Sequence, residues 1–145
     1  MDDFGKIRLS GLGGNDTVSA GTGVADVVML GGAGDDRLTG NELNGEFFGG
    51  DNNDTIDAGG GADAVHGDAG NDSLNAGASN DYMEGDAGDD TITGGSGADT
   101  MLGGDGNDTF YARDSTRDTP NGGPGTDRAR RDSIDSITSI EQTIA

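Results

Sequence analysis

Seven aspartates at a spacing of nine residues, Asp54, Asp63, Asp72, Asp81, Asp90, Asp99 and Asp108, constrain this chain more than any other feature. With the register set from Gly31-Gly32-Ala33-Gly34-Asp35-Asp36-Arg37-Leu38-Thr39, they fall at the sixth position together with Asp36, interrupted only by Gly45. The phase holds from residue 31 to 111. Before it, Asp16 and Asp26 fit only after short insertions, because the gaps from Asp16 to Asp26 and from Asp26 to Asp36 are ten residues. The eighth position is a second check. It reads Val18, Val28, Leu38, Phe47, Ile56, Val65, Leu74, Met83, Ile92, Met101 and Phe110, all apolar. In a chain only 30% hydrophobic, such a run arises by chance on the order of once in 10⁵ trials.

Positions one to six, rich in Gly, read as a turn that visits positive φ, with Asn52 and Asn80 expected to substitute for Gly in that conformation. Positions seven to nine, such as Thr91-Ile92-Thr93, alternate polar, apolar, polar and predict a very short strand with one inward side chain. One copy is then half a coil. Copies two apart stack at the ordinary strand spacing of about 4.8 Å, which predicts an all-β, right-handed parallel β-roll.

That stacking brings Asp54 near Asp72 and Asp63 near Asp81. Two such carboxylates repel unless a cation lies between them. The net charge of −20 points the same way, away from nucleic acid or anionic membrane and toward cations. With no Cys, and a single His66 that cannot build a zinc site alone, soft metals are excluded. Oxygen-rich turns with free carbonyls suit Ca²⁺, whereas Mg²⁺ insists on octahedral geometry and keeps several waters.

The copies resemble the G-G-x-G-x-D-x-U-x nonapeptide of the repeats-in-toxin (RTX) family, over residues 11 to 111. The resemblance implies that each calcium ion is held by the sixth-position Asp and by turn carbonyls of two stacked copies. Carried onto this chain, those ligands are Gly31, Gly32, Ala33 and Gly34 with Asp36, and Gly49, Gly50, Asp51 and Asn52 with Asp54. They continue with Gly59, Gly60 and Gly61 beside Asp63, with Gly67, Asp68, Ala69 and Gly70 beside Asp72, and with Ala76, Gly77, Ala78 and Ser79 beside Asp81. Gly85, Asp86, Ala87 and Gly88 then accompany Asp90, Gly94, Gly95, Ser96 and Gly97 accompany Asp99, and Gly103, Gly104, Asp105 and Gly106 accompany Asp108. Asp16 opens the series. The departures are Gly45 in place of Asp, Asn41 and Leu43 in place of Gly, and extra residues between Ala20 and Leu30, which put the sites at those turns in doubt.

Adjacent aspartates give Asp16/Asp36, Asp36/Asp54, Asp54/Asp72, Asp72/Asp90 and Asp90/Asp108 on one edge, and Asp63/Asp81 and Asp81/Asp99 on the other. About seven calcium sites are expected, rising to about ten if Asp26, the Gly45 turn or Asp127 contribute. The domain division expected is a lead-in at 1–10, the repeat array at 11–111, and a capping segment at 112–145. Residues 1–111 carry 22 acids and three bases against six and five in the remainder, and a degenerate copy, Gly122-Gly123-Pro124-Gly125-Thr126-Asp127, precedes Ile134, Ile137, Ile140 and Ile144.

One inward apolar side chain per copy is little with which to offset the ordering of so Gly-rich a chain, so the metal-free state is expected to be disordered and folding linked to Ca²⁺. An extracellular module binds Ca²⁺ at about 10⁻⁴ to 10⁻³ M, which favours export before folding. The family resemblance implies secretion through a one-step (type I) channel by an uncleaved carboxy-terminal signal, a role open to the Ile-rich tail, although a plain cap is the preferred reading. From the acidic start of the chain no cleavable leader is expected, no segment is long enough to span a membrane, and a monomer is expected. His66 is expected as a solvated strand residue, the surplus acids Asp35, Asp51, Asp57, Asp68, Asp86, Asp89 and Asp105 as solvated positions, and Arg128, Arg130 and Arg131 as paired with Asp127, Asp132 and Asp135. No catalytic constellation is present in the sequence, so an enzyme is not expected. The alternatives to a calcium-binding folding module are a binding-surface solenoid, such as an ice-binding or adhesin segment carrying Thr17, Thr55, Thr91 and Thr109, and the carboxy-terminal piece of a secreted enzyme.

Overall fold

The computed structural model of the protein describes residues 6–24 and 27–144, so the expectations placed on Asp26 and on residues 1–5 lie outside the described residues. Fifteen strands and no helix occur among them. In chain order these are β1 (Ile7–Gly13), β2 (Thr17–Ser19), β3 (Val27–Ala33), β4 (Arg37–Asn41), β5 (Gly45–Asp51), β6 (Thr55–Gly60), β7 (Ala64–Ala69) and β8 (Ser73–Ala78). They continue as β9 (Tyr82–Ala87), β10 (Thr91–Ser96), β11 (Thr100–Asp105), β12 (Thr109–Ala112), β13 (Thr119–Asn121), β14 (Arg128–Arg131) and β15 (Gln142–Thr143).

Apart from β15, which joins the even set, odd and even strands separate into two parallel sheets. The first runs β1-β3-β5-β7-β9-β11-β13, and the second runs β15-β14-β12-β10-β8-β6-β4-β2. As far as β14 each strand pairs with the one two elements away, in registers such as Ile56↔Leu74 and Val65↔Met83, so residues 18 apart stack in the regular coils, and β15 pairs with β14. This is a β-solenoid in which one nonapeptide makes half a coil. The strands are longer than three residues because positions one to three of the next copy continue them, as in β6. Since side chains alternate across a strand, positions six, eight and one all face inward: Asp63, Val65 and Gly67 are buried while Ala64 and His66 are only partly so.

The core is a double column. Met29, Phe47, Val65, Met83 and Met101 come from the first sheet and Leu38, Ile56, Leu74, Ile92, Phe110 and Ala129 from the second, with Ala58, Ala76 and Ala112 filling gaps. Val28 is a correction to the expected inward series. Met29 stacks on Phe47 and on Leu9, whereas Val28 pairs with Glu46 and lies on the outer face beside Arg8 and Phe48, buried at 6% exposure but outside the core cluster. The ten-residue gap between Asp26 and Asp36 left the position of the extra residue open. It lies before Met29, which keeps its two-residue spacing to Gly31 as Phe47 does to Gly49.

Strand pairing already begins at Ile7, inside the segment 1–10. Beyond residue 111 the coils continue through β13, β14 and β15, with Ile140 packed against the core and Ile134 exposed. The left-handed backbone expected at Asn52 is present (φ 80°), but in the other turn it falls on Ser79 (φ 96°) and not on Asn80. Asn80 instead accepts the Ala98 N–H at 2.9 Å.

Candidate metal centre

The aspartate at position six lies where an inward-facing strand residue meets the turn, so its carboxylate enters the interior at the rim of the core. Asp36, Asp54, Asp63, Asp72, Asp81, Asp90, Asp99, Asp108, Asp118 and Asp127 are all buried, none more than 4% exposed. Each carboxylate has the same arrangement. One oxygen, Oδ1, accepts the backbone N–H of the corresponding residue one coil earlier: Asp36 N–H to Asp54, Asp54 to Asp72, Asp72 to Asp90 and Asp90 to Asp108, at 2.6–2.9 Å. On the opposite edge Asp63 N–H donates to Asp81 and Asp81 to Asp99, at 2.8 and 2.9 Å. Asp16 N–H opens the first edge by donating to Asp36 at 2.7 Å, and the Gly45 N–H opens the second by donating to Asp63 at 2.7 Å.

The other oxygen, Oδ2, has no partner in any of these residues or in Asp16, although it is buried. A buried carboxylate oxygen left unpaired is costly, and eleven repeats of the same vacancy in hydrogen bonding demand a common cause. The surroundings supply it. A Cβ placed on Gly31, Gly49, Gly67, Gly85 or Gly103 would run into Oδ2 of the following aspartate and into the carbonyl oxygen of the first-position Gly one coil later. At Gly67, for example, that carbonyl belongs to Gly85 and would lie 2.9 Å away. On this edge carboxylate oxygen and carbonyl oxygen therefore converge on one space that a Cβ would fill, whereas on the other edge Ala58 and Ala76 occupy the first position. A set of hard oxygen donors without competing N–H groups fits Ca²⁺.

The electrostatics agree. Burial pushes the carboxyls of Asp63 and Asp72 up to about 7, against the lowering effect of the backbone N–H, with neighbouring aspartates raising them further. Burial likewise takes Asp54, Asp81, Asp90, Asp99, Asp108 and Asp118 up to about 6. These groups resist ionisation until a positive charge joins them.

The remaining residues implied as ligands are placed as follows. Position-three carbonyls of Asp51, Ala69, Ala87, Ser96 and Asp105 each accept a backbone N–H from position four of the coil before, which leaves one lone pair apiece. The second-position residues Gly50, Gly77 and Gly104 and the fourth-position residues Gly70, Gly88, Gly97 and Gly106 have positive φ and stack closely on carbonyls of the preceding coil. Ala76 takes the first position on the second edge, where it joins the core. At the irregular turn the half-buried Asn41 bridges two coils, its amide donating to the carbonyls of Gly21 and Val24 and its oxygen accepting the Leu43 N–H.

Two features escape the sequence reading. Asp118 belongs to the second edge: the Asp99 N–H donates to it at 2.9 Å. It stands 19 residues after Asp99, in a copy without glycines, so only the pattern Asp118, Pro120, Gly122 at alternate positions marks it. Asp127 closes the first edge, accepting the Asp108 N–H at 2.8 Å. The second feature is a ladder at position five. The side chains of Asn15, Asp35, Asn53, Asn71, Asp89 and Asn107 each accept the N–H of the fifth residue one coil later. Asp35 and Asp89 are thus structural acceptors as well as exposed acids. Position five bonds forward along the stack and position six backward, so every turn is tied to both neighbours.

The expected pairing of Arg128, Arg130 and Arg131 with local acids is not found. Among the described residues the ion pairs are Lys6–Glu46 and His66–Glu84. Asp127 has turned into the interior, Asp132 and Asp135 accept backbone N–H groups, and Arg130 lies over the Tyr111 ring at 5.9 Å.

Compared with known proteins, the chain matches the family model of the RTX calcium-binding nonapeptide repeat (4 copies) over residues 8–24, 28–42, 39–74, 48–83 and 75–110. No curated protein matches it. The matched segments cover most of the chain and include nine of the eleven aspartates with an unpaired carboxylate oxygen, Asp118 and Asp127 lying beyond them, and the chain belongs to the RTX family of calcium-binding nonapeptide repeats.

Proposed function

We propose that this chain is a calcium-gated folding module of a secreted protein, in which Ca²⁺ ions held between successive turns complete the β-roll. The observation that carries the reading is the row of buried, unpaired Oδ2 atoms. Seven of the eleven aspartates lie on one edge (Asp16, Asp36, Asp54, Asp72, Asp90, Asp108, Asp127) and four on the other (Asp63, Asp81, Asp99, Asp118), giving six and three adjacent pairs. Each pair would hold one ion, with first-position carbonyls such as those of Gly49, Gly67, Gly85 and Gly103 completing its shell. That is two more sites than the spacing alone supports, through Asp118 and Asp127.

Because interior aspartates serve two ions each, binding at one site organises the ligands of the next, and folding is cooperative with metal. In a calcium-poor compartment the chain stays unfolded and exportable, and it folds where Ca²⁺ is plentiful. Native mass spectrometry of the calcium-loaded protein tests the assignment. About nine bound ions are expected from the pairs described above, and a loaded protein carrying three or fewer would refute the two-column arrangement.

A further inference from the structure

We propose that His66, Glu84 and Asp86 form a separate site for a borderline divalent ion, of which Zn²⁺ is the natural probe, on the outer face of the first sheet. The three residues come from adjacent strands: His66 pairs with Glu84 across β7 and β9, and Asp86 follows Glu84 by two residues on the same face. One ligand atom from each lies within 4.8 Å of the others. His66 Nδ1 is 3.5 Å from Glu84 Oε2, already the separation that two donors have around a tetrahedral ion with bonds of about 2.0–2.2 Å.

The donors are held in place. Phe48 stacks on the imidazole at 4.9 Å with the rings 4° from parallel, and the Tyr82 hydroxyl donates to Glu84 Oε2 at 3.1 Å. All three ligands are half-buried, leaving room for a water or substrate oxygen in the remaining position. Asp86 is also unusual in its backbone. The second position of most copies is a Gly at positive φ, as at Gly50, Gly59, Gly77, Gly95 and Gly104. Only Asp68 (φ 72°) and Asp86 (φ 70°), on the strands that carry His66 and Glu84, put a carboxylate-bearing residue in that left-handed conformation along this stretch. The Asp86 conformation sets its carboxylate within reach of the chain's one imidazole.

A nitrogen donor distinguishes this site from the oxygen-only aspartate columns. Ca²⁺ takes oxygen ligands, whereas imidazole with carboxylates suits Zn²⁺, Ni²⁺ or Cu²⁺. Because His66 and Glu84 are 18 residues apart, the site exists only when the coils are stacked, so it rests on the calcium-gated folding proposed above. A single His argues against such metals in the sequence, and the proposed site draws its other two ligands from the next coil.

The test is Zn²⁺ titration of the full chain in millimolar Ca²⁺, followed by nuclear magnetic resonance of the imidazole, with circular dichroism of the same samples. As the chain has one His, its ring resonances report this site alone. One equivalent of Zn²⁺ is expected to shift them, and by isothermal calorimetry His66→Gln and Glu84→Gln are each expected to weaken Zn²⁺ binding at least tenfold with the circular dichroism unchanged. Imidazole resonances that do not respond in a folded protein would overturn the site and leave the calcium reading intact, as would binding that survives both substitutions. A chain that stays unfolded in Ca²⁺ would overturn both.

Discussion

At the residue scale, the carboxylate at position six does two jobs that a single substitution separates. Asp72→Asn keeps an oxygen for the Asp54 N–H but removes the charge and places an amide where Oδ2 stood unpaired. Since Asp72 belongs to two adjacent pairs, the substitution should raise the Ca²⁺ midpoint several-fold in a calorimetric titration. Asp57→Asn, on the outer face where it accepts from Asn75, should leave the midpoint within error. The first-position glycine is equally restrictive. Gly67→Ala sets a methyl against Asp72 Oδ2 and the Gly85 carbonyl and should weaken binding comparably, although φ there is ordinary.

Acid should act in the opposite sense on the two forms of the protein. The unfolded aspartate titrates near 4, while burial holds Asp63 and Asp72 near 7 and Asp54, Asp81, Asp90, Asp99, Asp108 and Asp118 near 6. Between those limits the folded state binds more protons, so the stability of the metal-free roll falls as pH rises from about 4 to about 7. In chelator, lowering the pH from 7.5 to 5, still above the isoelectric point near 4.1, should therefore increase β signal in circular dichroism. In calcium the same change should raise the midpoint, because protons compete for the ligands. A metal-free chain whose signal is unchanged over that range would contradict the burial of these groups.

At the scale of the element, half a coil was legible because sequence period and structural period coincide. The alternation of Asp, apolar residue and Gly or Ala at positions six, eight and one is the inward face of the regular strands, and a strict nine-residue spacing identifies it without any knowledge of the turns. Where the spacing slips, sequence loses that face. Val28 and Met29 are both apolar and both buried, and only the pairing of Met29 with Phe47 decides which one joins the core column. Met29→Ala should cost the calcium-loaded protein about 2–4 kcal/mol in denaturant unfolding, as a buried large-to-small change does, whereas Val28→Thr should cost well under half as much. Asp118 was hidden for a related reason: its copy keeps the inward pattern but has lost the glycines that announce it. The position-five ladder could not be seen at all, since a polar residue at a turn tip reads as solvated until the next coil is placed above it. Asn71→Ala strips the acceptor from the Asp89 N–H and should cost about 1 kcal/mol. Ala62 and Ala98 show that the second edge does without such acceptors on alternate coils.

At the scale of the whole molecule, the fold is a stack with little interior apart from one apolar residue per copy and two rows of buried carboxylates. Neighbouring coils meet through parallel backbone pairing and through the Asp and Asn side chains that bond forward and backward along each edge. Such a stack repeats one local interaction, so its stability is the sum of coil terms and interface terms, and the interface terms contain the unpaired oxygens. Composition already pointed here: a net charge of −20 concentrated in a thin roll opposes compaction unless counter-ions enter the structure. The outer faces are where the sequence was least informative, because partners 18 residues apart are set by register and rotamer, as for His66 and Glu84.

The most direct test is far-ultraviolet circular dichroism of the full chain during a Ca²⁺ titration begun in chelator, with Mg²⁺ in a parallel titration. A coil-like spectrum that converts cooperatively to β signal with Ca²⁺ and not with equal Mg²⁺ is the predicted result. A chain already folded in chelator near neutral pH, or one that Ca²⁺ leaves unchanged, would contradict the account.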